Sequence, residues 1–312
     1  MNLASWLNFV FQPIGMAGAI LVLLSILTLA FINSQLANRM TVRLIAAIAF
    51  ADLFTHAGEY YAASNVDLAL GTPSCTAVSV FRSFSRTFYC FTNFAICYHL
   101  YRSLVQLKKS TWKFEVYVWI ATIAMTLIFI GIYAGLGVFS GTTRRSGCNP
   151  SSDSKVLNTV YFILTGLIDL TVVAVGVFTT IKGRQNLNKW INAYSATLTE
   201  SGDHQEQLIK DRRKMASRSF LYPLSTCITL PLEGFFLILN GFGIYALGLA
   251  IPKVITVGLS GFFTALAFAI DPATHQSFKS AYYQIKYNNS DKKIHDGDFS
   301  SNSRDINLNA AQ

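Results

Sequence analysis

An all-α membrane protein, built as a bundle of seven transmembrane helices, is the fold class this 312-residue sequence predicts. Three observations predict it. Only 13% of the residues are charged, about half the ~25% usual in soluble domains. Hydrophobic residues make up 52% of the chain and gather into runs of about twenty, the length that crosses a hydrocarbon core of ~30 Å. Basic residues cluster at one set of run ends. A soluble enzyme of this length and a mainly disordered chain are excluded on these grounds. In lipid each backbone polar group must be satisfied within its own segment, so every run is read as a helix.

The elements follow in chain order. Residues 1–13 form a short amino-terminal segment with no charge before Pro13. The first span, Ile14–Ile32, is too long for a signal peptide's apolar region and has neither a basic stretch before it nor a small-residue cleavage site after it. It is expected to be retained. Leu44–Ala62 is the second span and Val78–Leu104, the most polar, the third. Val116–Phe139 and Val156–Ile181 are continuous apolar runs. Phe220–Asn240 contains Pro223 and Pro231, each of which removes a backbone hydrogen bond and weakens the helix. With Gly234, Gly241 and Gly243 following, this sixth span reads either as a moving element or as a static kink held by its neighbours. Ile251–Ile270 is the seventh span, and Phe278–Lys286 reads as a short amphipathic helix. The bundle thus occupies residues 14–287, and 288–312 form an Asn/Ser/Asp-rich tail expected to be disordered.

Charge fixes the expected orientation. Of 25 Lys and Arg, four (Arg144, Arg145, Lys155, Lys253) fall in the loops after spans four and six, and Arg82 and Arg86 lie inside span three. The other 19 flank the opposite ends: Arg39, Arg43, Arg102, Lys108, Lys109, Lys113, the cluster from Lys182 to Arg218, and the tail. The positive-inside rule places that side in the cytoplasm and the amino terminus outside. The net charge of +9 is then an orientation signal and an attraction to anionic membrane lipid, and nucleic-acid binding explains it poorly. The third inner loop, about Lys182 to Ser217, reads as long and polar, with Lys210–Lys214 a basic extension of span six. Cys75 and Cys148 both fall on the oxidising side, so a disulfide between them is expected. Cys90, Cys97 and Cys227 lie within spans and read as small packing residues.

Seven spans, an outer amino terminus and a Cys at the head of the third helix with another in the next outer loop resemble the rhodopsin-like G-protein-coupled receptors. Shorter matches support this: Ala51-Asp52-Leu53 in span two, Trp119 in span four, and Asp271-Pro272-Ala273-Thr274-His275, which is similar to that class's Asn/Asp-Pro-x-x-Tyr motif. Departures accompany them. His99-Leu100-Tyr101-Arg102 stands where Asp-Arg-Tyr is expected, and Thr229-Leu230-Pro231 replaces the Cys-Trp-x-Pro switch. Leu221-Tyr222-Pro223-Leu224 resembles the sixth helix of fungal and amoebozoan nutrient and cyclic-nucleotide receptors. The resemblance implies a heterotrimeric G protein as partner, with Arg102 as its coupling residue. It also implies an ion or water network around Asp52 and Asp271, with sodium at Asp52, and a switch involving Asn93, Pro231 and Pro272. No cofactor is implied.

Ionisable residues at membrane depth are costly and face the bundle interior, so each is a candidate site residue. Arg82 and Arg86, four residues apart, share a helix face about 10 and 16 Å below Cys75. Tyr89, Cys90 and Asn93 continue that stripe. Glu59 and Glu233 come to the same level on spans two and six, and Asp169 lies about 20 Å down span five. Two readings stand side by side. In one, the guanidiniums bind a carboxylate or phosphate, with Arg82, Arg86, Glu59, Glu233 and Tyr89 as ligand-binding residues. In the other, the acids neutralise the arginines as structural pairs. His56 and His275 read as satisfied core hydrogen-bonders. A short amino terminus predicts a small ligand. A small transporter is the alternative, with substrate flux as its sign, but no internal repeat is evident. A retinal pigment needs a lysine midway along span seven, and Lys253 lies at its edge. No nucleophile elbow, phosphate loop or zinc spacing points to an enzyme or a metal site.

Overall fold

The structure is a computed structural model, and it describes residues 3–38, 40–65, 71–106, 108, 110–140, 148–196, 221–271, 274–275, 277–283 and 286. Among these, all regular structure is helical. We label the main helices α1 (Leu3–Ile32), α2 (Met40–Ser64), α3 (Pro73–Leu100), α4 (Trp112–Gly135), α5 (Lys155–Ala196), α6 (Leu221–Gly241), α7 (Leu247–Gly258) and α8 (Ser260–Ile270). Local chemistry sets several starts. The Thr72 hydroxyl accepts the Cys75 N–H at 3.3 Å with Pro73 in the first turn, and Thr111 does the same for Phe114 N–H at 3.4 Å; both satisfy otherwise orphaned helix donors. Tyr101–Val105 then continues α3 as one π-turn.

Among the described residues, five helices (α1, α2, α4, α5 and α6) are each long and apolar enough to cross a bilayer, and α7 with α8 passes the same test as a pair bent by 46°, a broken span or a re-entrant loop. The multi-pass membrane class therefore holds. α3 does not meet that apolarity because it carries Ser79, Arg82, Ser83, Ser85, Arg86, Thr87 and Asn93. Its position accounts for the polarity. α1, α2, α3, α5, α6 and α7/α8 close a ring in which α3 touches α2, α5 and α6, while α4 packs on the flank of α3. The main core runs through this ring from Leu44, Ile45 and Ile48 of α2 past Ile96 and Leu100 of α3 to Phe268 of α8. A second cluster around Tyr133, Tyr161, Phe162 and Leu237 fills the end nearer the disulfide.

Three boundaries differ from the sequence reading. α1 begins at Leu3 and runs through Pro13, so most of the short amino-terminal segment is helical. α5 continues to Ala196, so the start of the expected third inner loop is helix. The seventh span is two helices broken at Leu259. Residues 277–283 are helical with Ser277 and Ala281 buried and Tyr282 and Tyr283 exposed, which is the amphipathic pattern expected there. Pro272, Arg39, Lys109, Arg144, Arg145, the Lys210–Lys214 cluster and residues 288–312 lie outside the described residues.

α1 meets the α7/α8 break backbone to backbone. A Cβ on Gly18 would lie 2.6 Å from the Gly261 carbonyl oxygen, and one on Gly15 would collide with the Gly258 carbonyl and the His56 ring. Only glycine permits this approach. At the other side of the ring, Cys75 and Cys148 form a disulfide with a Cα–Cα distance of 5.4 Å, tying the loop before α5 to the head of α3. We call this the disulfide end, and the opposite one, with Arg43, Arg102 and Lys113, the basic end.

Candidate functional site

The polar face of α3 organises a network of ion pairs beneath the disulfide. Arg82 is fully engaged. Its Nη2 donates to Glu59 Oε1 and Oε2 at 2.6 and 2.7 Å, its Nε to Oε1 at 3.0 Å, and its Nη1 to the Cys148 carbonyl at 2.9 Å and Asn149 Oδ1 at 3.1 Å. A Cβ on Gly58 would lie 2.8 Å from Arg82 Cγ, so glycine there lets the arginine stem run alongside α2. Arg82 thus joins α2, α3 and the disulfide-tethered loop in a bidentate, planar contact.

One turn deeper, Arg86 bridges α5 and α6. Nη2 reaches Asp169 Oδ2 at 2.5 Å and Nη1 reaches Glu233 Oε1 at 2.8 Å. Glu233 also pairs with Lys253 of α7 at 3.2 Å. The second Asp169 oxygen accepts the Cys90 thiol at 3.1 Å. Three cations (Arg82, Arg86, Lys253) therefore meet three carboxylates (Glu59, Asp169, Glu233), and the site is charge-balanced. Buried charges persist only when paired in this way.

Below these pairs a second tier centres on α2. Asp52 Oδ1 accepts the Ser260 hydroxyl at 2.6 Å and Oδ2 the Thr264 hydroxyl at 2.9 Å. His56 Nε2 accepts the Gly261 N–H at 3.3 Å, which leaves Nδ1 to donate to Gln12 Oε1 at 2.5 Å. Gln12 in turn donates to Asn8 Oδ1 at 3.0 Å. The imidazole thus replaces a backbone partner that the break between α7 and α8 removes. Between the two tiers lies a cavity of about 20 Å³ whose lining combines polar residues (Asp52, Thr55, Arg86, Tyr89, Glu233) with Leu230 and Val257. It has room for a single water. Thr55 Oγ1 and Arg86 Nε are buried there without a hydrogen-bond partner.

Farther toward the basic end, Asn93 Oδ1 accepts the Thr226 hydroxyl at 2.6 Å, joining α3 to α6 one turn before Pro231. Arg102 lies in the π-turn with its guanidinium carbon 3.8 Å from the centroid of the Phe114 ring on α4, a cation–π contact. Arg43 pairs with Glu115 beside it, and Asn186 of α5 donates to the Val105 carbonyl at 3.0 Å.

The structure brings together four of the five expected ligand-site residues as pairs (Arg82 with Glu59, Arg86 with Glu233), and Tyr89 lines the cavity below them. Three participants were not assigned these roles from the sequence. Asp169 is the direct partner of Arg86, Lys253 completes the network, and Gln12 holds His56. The sequence signal for Asp169 is an acid in the middle of an apolar run. Of the network expected around Asp52 and Asp271, the described contacts give the Asp52 part. Both Asp52 oxygens are occupied by α8 hydroxyls, and Asp271 is buried seven residues beyond Thr264, about 10 Å farther along the chain axis. Comparison with family models and with curated proteins finds no match for this chain.

Proposed function

We propose that the chain is a seven-helix receptor of the plasma membrane, divergent from the rhodopsin-like G-protein-coupled class, with its amino terminus outside. The count takes the five apolar helices, the bent α7/α8 pair and the polar α3 of the ring. One observation carries the reading: a charge-balanced network linking α2, α3, α5, α6 and α7 directly under a disulfide-tethered loop. A small extracellular ligand with an anionic group exchanges with one of the carboxylates on Arg86. Arg86 is the exchangeable arginine because its Nε is unsatisfied, whereas every guanidinium nitrogen of Arg82 is engaged. Exchange biases α6, which holds Glu233 and Pro231 on one helix. The state so favoured is read at the basic end by a heterotrimeric G protein, with Arg102 leaving Phe114. Asp52, Ser260 and Thr264 offer oxygen donors to a sodium ion between these ends. A ligand shifts such an equilibrium only by its difference in affinity for the two states.

The test is G-protein nucleotide exchange in reconstituted membranes over a panel of small carboxylates and phosphates. Arg86→Ala is expected to lose potency by tenfold or more, about 1.4 kcal/mol. Unchanged potency in both Arg86→Ala and Arg82→Ala overturns the anion site, and no exchange with any ligand overturns the receptor. A second reading, a small transporter, is favoured by the α7/α8 break with Asp52 and His56 beside it, since discontinuous helices at mid-membrane are transporter features. Substrate flux into liposomes holding the chain alone would decide for it.

A further inference from the structure

A second, wider cavity lies outside the polar core. It is a groove of about 570 Å³ between α3, α4 and α5, open to the outer surface of the bundle. Each helix gives it one face: Phe91, Phe94, Ala95 and Tyr98 of α3 follow the i, i+3, i+4, i+7 pattern, and Leu164 to Val172 of α5 repeat it. Along α4 the lining residues Tyr117, Ala121, Met125 and Phe129 form a single i+4 row. Ala95 and Ala121 make the depression, because their neighbours in the rows are large.

Its chemistry selects hydrocarbon. The Thr122 and Thr171 hydroxyls in the wall donate to the Val118 and Leu167 carbonyls at 2.8 and 2.7 Å, so they offer no donor to an occupant. The remaining polar atoms belong to Tyr98 and Tyr117, which are 42% and 67% exposed and sit at the basic end of the groove. From Tyr117 to Phe129 the groove runs about 18 Å at 1.5 Å per residue, close to the ~15 Å depth of one leaflet's hydrocarbon. Continuing the α4 row by one turn beyond Tyr117 gives Lys113, which is exposed. An apolar slot one leaflet deep thus ends in two tyrosines and then a cation.

We propose that this groove binds a phospholipid with an anionic headgroup from the leaflet at the basic end. One acyl chain lies over Ala95 and Ala121, the tyrosines mark the interface, and Lys113 meets the phosphate or carboxylate of the headgroup. The assignment rests on membrane insertion and not on the signalling reading, so its test needs no G protein.

Native mass spectrometry of the full chain in non-ionic detergent tests it, with dioleoyl phosphatidylserine, dioleoyl phosphatidylcholine and cholesterol as probes. The wild type is expected to retain phosphatidylserine about five-fold better than phosphatidylcholine, the effect of one lysine at an anionic headgroup. Lys113→Gln, at an exposed position, should equalise the two. Ala121→Phe should abolish retention of both by filling the floor. No preference in the wild type, a preference surviving Lys113→Gln, or retention surviving Ala121→Phe each overturns the proposal. So does cholesterol that binds in the same groove and displaces phosphatidylserine regardless of Lys113.

Discussion

Asp169 and Glu59 are both carboxylates held by arginines of α3, yet their surroundings differ. The Asp169 side chain is 0% exposed and serves two donors, while Glu59 is 24% exposed at the edge of the network. Asp169→Ala leaves Arg86 short of a partner in a buried site, a loss of about 3–5 kcal/mol. Glu59→Ala costs less because water can approach Arg82 from the loop. Thermal unfolding in detergent should therefore rank Asp169→Ala below Glu59→Ala, with Asp169→Asn between them. The opposite order would refute this account of the network. The arginine pair was legible in the sequence because two guanidiniums inside an apolar run have no other place than the interior. Which acid met which arginine was not, since a helix's rotation about its own axis is set by packing that one segment does not encode.

At the scale of elements, the break between α7 and α8 is the least legible feature. Ile251–Ile270 reads as one apolar run, and Gly258 and Gly261 alone hint that the backbone parts there. The repair comes from 205 residues away in sequence, through His56 of α2 accepting the Gly261 N–H. His56→Ala removes that acceptor and the donor to Gln12 together. An unsatisfied buried N–H costs about 1–3 kcal/mol, and the cost should be local. Hydrogen exchange in nanodiscs is expected to rise around residues 258–262 in His56→Ala while α5 stays protected. Uniform acceleration along every helix would show that the imidazole supports the whole fold rather than this junction. α5 makes a related point: polar residues after Ile181 read as loop, but a helix already anchored in the bilayer propagates through good helix formers such as Gln185 and Lys189.

For the whole molecule, the disulfide closes a segment of 73 residues that contains α3 and α4. A random chain of that length would be stabilised by about 4 kcal/mol. Helices that stay inserted when the bundle comes apart leave less entropy to remove, so the effect here is smaller. Cys148→Ser is expected to lower the unfolding midpoint and to loosen the loop that holds Arg82, raising protease sensitivity between residues 136 and 155. An unchanged midpoint and cleavage pattern would mean the Arg82 contacts hold the loop unaided. The architecture was legible in outline because twenty-residue apolar runs and one-sided basic charge survive any detail of packing. The inward turn of the polar face of α3 was legible too, since buried charge at membrane depth tolerates no exposure to lipid.

The glycine contacts of α1 with α7 and α8 bear on how the protein is made. Synthesis delivers α1 well before α8, so the two surfaces that must touch most closely, at Gly18 and Gly261, emerge 243 residues apart (261 − 18). Until α8 arrives, the bare stripe of α1 can only face lipid or a neighbouring polypeptide. Assembly therefore ends, and does not begin, with the meeting of the two termini of the ring.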